Sequence, residues 1–334
     1  MRSHPELVVR APNHLGDLCL ALPALHRAAA GAVVVRRHLV PLLELARLPS
    51  RIVPLDPGPG GMFRCAAELR HAGFRRGVLL TPSLSAALIF RLAALPERRG
   101  TRTDHRGPLL TEAVSPEALA GLHRATAYMV LVCQTAPPEL PRPKLELSDA
   151  RRGAWRALVG EETRDAIGVF PGGNASSRRW DPDRFRELVQ RLADDGHRVI
   201  VFGGPAERDL TREVAGDRGL DMGGLTDLPL LAAGLADCRV LVTNDSGPMH
   251  LAAAVGTPTV SLWGAGNPRE TCPLGPGHRM VRHAELPCVP CVKNRCPRSG
   301  RGTFLDEADR ECLALVTVDE VHHAVERVLE ETGR

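Results

Sequence analysis

Thr243-Asn244-Asp245-Ser246-Gly247-Pro248-Met249-His250-Leu251-Ala252-Ala253-Ala254 is the stretch on which the reading of this chain turns. It follows the run Arg239-Val240-Leu241-Val242. A strand therefore ends in Asn-Asp, a small residue and a glycine follow, and a helix begins. His250 lies three residues past Gly247 and faces the same side of the first helical turn. The amides of Ser246 and Gly247, the positive end of the helix dipole and His250 converge on one anion site. A lone histidine is usually structural, but these neighbours favour a phosphate ligand.

The same alternation extends outward. Ile167-Gly168-Val169-Phe170 reads as a strand ending in Pro171-Gly172-Gly173, with a helix from Asp181 to Asp195. Arg198–Phe202 is the next strand and ends in Gly203-Gly204-Pro205. A helix over 227–237 leads back to the quoted stretch, Pro258–Trp263 is a further strand, and Thr317–Glu331 reads as a capped amphipathic helix. In the first half, Leu7–Val9, Val33–Val35, Ile52-Val53 and Val78–Leu80 read as strands. Helices are expected around 17–30, 38–47, 62–73 and 83–94.

Strands alternating with helices predict βαβ units and a parallel sheet covered on both faces. Residues 136–149, APPELPRPKLELSD, hold four prolines and read as a semi-rigid connector. The expected fold is α/β, with two doubly wound Rossmann-like domains, 1–145 and 146–334, facing a central cleft. A length of 334 residues suits two domains. Ligands of such sheets bind outside the carboxyl ends of the strands.

Composition excludes several classes. Only Lys144 and Lys293 among the 43 basic residues are lysines, and no G-x-x-x-x-G-K-[ST] occurs, so a P-loop NTPase is out. Neither lysine suits a Schiff base, which disfavours pyridoxal chemistry. Tyr128 is the one tyrosine and aromatics total 3%, too few rings for a base-stacking RNA reader. A net charge of +4 is far from the basic stripe of a nucleic-acid binder. Asp306-Glu307-Ala308-Asp309 imitates a helicase box, but there is no P-loop to serve it. No apolar run reaches the ~18–20 residues that span a bilayer, and the first residues hold no signal-peptide core. A cytoplasmic protein with reduced cysteines is expected.

Two more strand-to-helix turns carry chemistry. Arg10-Ala11-Pro12-Asn13-His14-Leu15-Gly16-Asp17 places Asp17 in the first turn of a helix. It reads either as a capping carboxylate or as a general base at a strand's carboxyl end. Gly172-Gly173-Asn174-Ala175-Ser176-Ser177-Arg178-Arg179-Trp180 combines small residues with guanidinium groups, as a phosphate loop needs, and Asp181-Pro182 supplies the next helix start. The bland reading is a solvated loop. Cys288, Cys291, Cys296 and Cys312 have metal-like spacing that is not diagnostic.

Together these turns resemble the ADP-heptose:lipopolysaccharide heptosyltransferases, in particular the heptosyltransferase II type. The resemblance covers nearly the whole chain. It rests on Arg10-x-Pro12-Asn13-x-x-Gly16-Asp17 with Pro23-Ala24-Leu25, Pro171-Gly172 through Arg178-Arg179-Trp180, Gly203-Gly204-Pro205, and Asn244 through Ala252. It implies the GT-B fold and inverting, metal-independent transfer with no cofactor. Asp17 matches the family's proposed base. Arg178 falls where the family usually has a lysine that contacts the donor phosphate. Asn174, Ser177, Asp245, Ser246, Gly247 and His250, with Gly203 and Gly204, match the donor site, and Arg10 and Asn13 the acceptor side. The implied partners are ADP-heptose and a phosphorylated lipopolysaccharide core at the inner face of the cytoplasmic membrane, with no nucleic acid and no transmembrane segment.

The residues suit that chemistry, since transfer from a nucleotide-diphosphate sugar needs a base for the acceptor hydroxyl and positive charge for the leaving diphosphate. Arg98 and Arg99 could meet an anionic acceptor, or simply solubilise the surface. Other readings stay open: another nucleotide sugar or acceptor in capsule or secondary-metabolite assembly, or a non-catalytic nucleotide-sugar or metal-binding protein. A Rossmann oxidoreductase is disfavoured, because no G-x-G-x-x-G follows the first strand.

Overall fold

A computed structural model describes residues 4–296 and 311–333, and the Asp306–Asp309 string lies outside them. The chain divides into two compact units, 1–146 and 147–334.

The first unit carries strands β1 (His4–Arg10), β2 (Ala30–Arg36), β3 (Arg51–Leu55), β4 (Arg76–Leu79), β5 (Glu97–Thr101) and β6 (Glu112–Val114). They form one parallel sheet in the order β3-β2-β1-β4-β5-β6. Helices α1 (Leu15–Ala28), α2 (Val40–Leu45), α3 (Gly58–His71), α4 (Leu84–Leu92) and α5 (Arg124–Cys133) connect and flank it. Ala32, Val33, Val34 and Val35 are all buried, so β2 is covered on both faces.

In the second unit lie β7 (Ile167–Phe170), β8 (Val199–Val201), β9 (Leu220–Asp221), β10 (Val240–Asn244), β11 (Thr259–Trp263) and β12 (Arg279–Arg282). Their parallel order, β9-β8-β7-β10-β11-β12, repeats the first sheet strand for strand. The helices are α6 (Asp149–Val159), α7 (Pro182–Asp194), α8 (Arg208–Ala215), α9 (Leu228–Asp237), α10 (Gly247–Ala254), α11 (Pro268–Thr271), α12 (Glu311–Ala314) and α13 (Val318–Thr332). The core joins Val169, Val201, Val242 and Leu262 of the sheet to Phe185 and Leu188 of α7 and Val321, Val325 and Val328 of α13. Asp181 caps α7 by accepting the Asp183 amide at 2.7 Å, as its place before Pro182 implies.

The expected apolar strands and their helices are present, but β5, β6, β9, β12, α5, α6 and α8 carry no such signal. The sequence of β5, ERRGT, is charged. Arginine hydrogen bonds hold it: Arg98 Nε donates to the Leu109 carbonyl at 2.7 Å, and Arg99 Nε to the Leu131 carbonyl at 2.9 Å. Arg99 also pairs with Glu112 of β6. Both guanidinium groups thus bind their own unit. None of the described helices is long and apolar enough to cross a membrane.

In each sheet the order reverses beside one central pair, β1/β4 in the first unit and β7/β10 in the second. Connections there leave on opposite faces, which opens a crevice at the strands' carboxyl ends. The sequence-predicted residues fall after β1, β7, β8 and β10.

Candidate functional site

At the carboxyl end of β1, Arg10 is fully buried. Its guanidinium donates to the Ala11 carbonyl, to the Val34 carbonyl at 3.3 Å and to Asn13 Oδ1. Burial pulls its pKa down to about 10, and the nearby Arg36 adds to this. Asn13 Nδ2 donates to Thr81 Oγ1, just past β4, at 3.2 Å, and Arg36 Nε donates to Asn13 Oδ1 at 3.4 Å. Arg10 therefore fixes Asn13 across the switch point, and Asn13 is the more exposed of the two.

Asp17 is the third residue of α1 and does not cap it: the N-cap is His14, which makes no side-chain cap bond. Its Oδ1 instead accepts the Tyr128 hydroxyl from α5 at 3.2 Å. Tyr128 is 5% exposed, and burial, followed by the Asp17 charge, lifts its pKa well above the usual value. It stays a donor and holds the part-exposed carboxylate in one orientation. Nothing in the sequence pointed to this pair except that Tyr128 is the one tyrosine.

In the second unit, Asn244 ends β10. Its Nδ2 donates to the Pro171 and Gly172 carbonyls at 2.7 and 3.2 Å, while its Oδ1 accepts the Trp180 amide at 2.9 Å. One buried amide thus pins both ends of the loop after β7. Glu207 ties that loop to the next: Oε1 accepts the Gly173 amide at 2.9 Å and Oε2 the Gly204 amide at 2.8 Å. A Cβ on Gly172 would lie 1.9 Å from Glu207 Oε1, so glycine permits the approach. The sequence signal was available, because Glu207 sits three residues past Gly204 at a helix start, the capping-box spacing.

Inside this frame, Arg178 Nη1 lies 3.1 Å from Asp245 Oδ2, with the arginine side chain 26% exposed and the aspartate 3%. Burial pushes the Asp245 pKa up to about 6, against the pull of Arg178. Gly266 makes room for it, since a Cβ there would lie 1.9 Å from Asp245 Oδ2. Next in the chain, Ser246 is the N-cap of α10 and Gly247 its first residue, with His250 buried one turn on. Asn174 is exposed, and Gly203 and Gly204 line the exit of β8. Ser177 is buried: its hydroxyl donates to the Lys293 carbonyl and its amide to that of Asn294 at 3.3 Å. The segment around Cys288, Cys291 and Cys296 therefore braces the turn that carries Arg178.

The four cysteines are neighbours. Burial lifts the Cys312 thiol pKa, and Cys296, Cys288 and Cys291 lift it further. Among the described residues, however, no three of these sulfurs stand within 4.8 Å of one another.

A buried carboxylate beside a part-exposed guanidinium, at the start of a helix and at a switch point, is an arrangement that can hold a diphosphate. An oriented carboxylate at the other switch point can take a proton.

Known proteins resemble this chain over most of its length. Residues 62–300 match the family model of glycosyltransferase family 9 (heptosyltransferase). Lipopolysaccharide heptosyltransferase 2 of Escherichia coli K12 is 27% identical over 305 residues, which span 83% of this chain and 88% of that protein. The solved structure of E. coli ADP-heptose lps heptosyltransferase II superposes with a TM-score of 0.83, at 24% identity, over 98% of this chain and 99% of that one. A glycosyl transferase family 9 structure from Veillonella parvula gives a TM-score of 0.81 at 22% identity, over 97% of each chain. At such identities the superpositions speak for the fold alone, and the fold is theirs. The chain belongs to glycosyltransferase family 9, the heptosyltransferases, and is a glycosyltransferase of the GT-B fold.

Proposed function

We propose that this chain transfers a heptose, with inversion, from ADP-heptose to the phosphorylated inner core of lipopolysaccharide at the inner face of the cytoplasmic membrane. The observation that carries the reading is the Arg178–Asp245 pair at the start of α10, held by Asn244 and Glu207. In this assignment the second unit holds the donor. Arg178, His250 and the amides of Ser246 and Gly247 take the diphosphate; Asn174, Gly203 and Gly204 lie along the rest of the nucleotide sugar, and Ser177 braces the turn. The first unit holds the acceptor, with Asn13 fixed by Arg10, and carries Asp17 as the base. Relatives named for lipopolysaccharide heptosyl transfer support the choice of donor and acceptor.

The step balances as follows. The acceptor O–H proton passes to an Asp17 carboxylate oxygen. The acceptor oxygen bonds to the anomeric carbon as the bond from that carbon to the phosphate oxygen breaks. ADP leaves with the electron pair, and its added charge falls on Arg178 and the helix start.

The test is ADP release by the purified chain from ADP-heptose, with and without a heptosylated core acceptor. Acceptor-dependent release is expected, and Asp17→Ala lowers kcat by about 10²–10⁴, the usual contribution of a positioned base. Donor binding without acceptor-dependent release overturns the acceptor. Full activity in Asp17→Ala overturns the base.

A further inference from the structure

Away from both switch points, the second unit gathers three metal-binding side chains, with His197 beside them, where α7 ends against α13. Asp195 is the C-cap of α7. Gly196, at φ +88°, turns the chain in a conformation that suits glycine and sets His197 one residue beyond. Across from them, His322 and Glu326 stand four residues apart on one face of α13. One ligand atom each from Asp195, His322 and Glu326 lies within 4.8 Å of the other two. His322 Nε2 is 2.6 Å from Asp195 Oδ2, and His197 Nε2 is 3.4 Å from Glu326 Oε1.

That last contact misses hydrogen-bond geometry. Glu326 Oε1 is shut off from solvent and has no hydrogen-bond donor. The Glu326 side chain is 39% exposed, but this one oxygen is enclosed without a donor, and a cation would satisfy it.

We infer that Asp195, His322 and Glu326 form a site for one divalent transition-metal ion, zinc being the best fit, with His197 standing beside Glu326 outside the three-ligand cluster. Imidazole nitrogen and carboxylate oxygen are both zinc ligands, at about 2.0–2.2 Å, and three protein ligands leave a fourth position for water. Ligand atoms around such an ion stand roughly 3.3–3.5 Å apart, so His322 and Asp195 need separate by only about 1 Å. The ion would fasten the C-terminal helix to the end of α7, beside the Arg191–Asp319 pair that already links these helices. This site is separate from the four cysteines and from the residues proposed for transfer.

The test is titration of the full chain, free of any polyhistidine tag and stripped with chelator, with Zn²⁺ and with Co²⁺ alone. One ion per chain is expected, with visible Co²⁺ d–d bands and no thiolate charge-transfer band. His322→Asn and Glu326→Gln should each weaken binding at least tenfold, and Zn²⁺ should raise the Tm of the parent chain but not of the variants. Unfolding of each variant in chelator, compared with the parent, checks that it folds. Absence of stoichiometric binding overturns the site. Binding that survives both substitutions, or that shows a thiolate band, also overturns it and assigns the metal to the cysteines.

Discussion

The two switch points invert each other's charges. After β1, the cation is the buried member: Arg10 is enclosed and committed to carbonyls and Asn13, while the Asp17 carboxylate stays part-exposed. After β10, the carboxylate is the buried member: Asp245 is enclosed and Arg178 part-exposed. Two sheets of one topology thus leave opposite charges part-exposed, a carboxylate in one unit and a guanidinium in the other. Burial decides which charge is available. The enclosed group positions its neighbours, because a charge out of water must keep its hydrogen bonds or ion pair, while the part-exposed group is open to a ligand.

After that of losing the Asp17 carboxylate, the largest effect should come from removing the exposed cation. Arg178→Ala takes positive charge from the leaving diphosphate and leaves Asp245 buried without its guanidinium. A loss of about 10²–10³ in kcat/KM is expected, the range for a single preorganised charge donor. Arg178→Lys keeps the charge with a different geometry and should lose about tenfold or less. Steady-state kinetics with ADP-heptose measures both. Equal losses in the two variants would mean that Arg178 serves the fold of its loop, and the inversion of charges would then have no bearing on transfer.

A smaller effect tests the other end. Tyr128→Phe deletes the hydrogen bond to Asp17 and preserves the ring in its buried slot. Such a bond contributes about 0.5–1.5 kcal/mol, so kcat should fall roughly twofold to tenfold while donor KM holds. An unchanged kcat would show that Asp17 needs no orienting partner.

Much of this frame was legible in the sequence, for physical reasons. Buried parallel strands require unbroken runs such as Val33–Val35, and βα turns require glycines and caps at fixed offsets, so β1, β7, β10 and the turns after them stood out. Strand β5 did not, because Arg98 and Arg99 hold it by hydrogen bonds to the Leu109 and Leu131 carbonyls and no apolar alternation marks it. The bracing partners were hidden by distance along the chain. Tyr128 lies 111 residues from Asp17, and Lys293, whose carbonyl takes the Ser177 hydroxyl, lies 116 residues from Ser177. Asn244 was visible as the end of a strand, but not as the clamp of a loop more than 60 residues away.

The finest test of the comparison is pH. The Asp245 pKa is raised from 3.8 to about 6, with burial the main cause. Its contribution to stability is therefore full below about pH 4 and is lost as pH rises through about 6, where the enclosed group ionises. The same sign governs donor binding. A diphosphate competes with Asp245 for Arg178, so binding raises the Asp245 pKa further, and affinity should fall as pH rises from about 5.5 to 7.5. For a one-unit upward shift on binding the fall is roughly sixfold. Asp245→Asn separates this carboxyl from any other titrating group. The variant should bind an ADP-sugar with nearly the same affinity across the range if Asp245 is the titrating group, and calorimetry at several pH values reads this directly. A slope that persists in Asp245→Asn would assign the titration to another group and leave Asp245 as an ionised brace for Arg178.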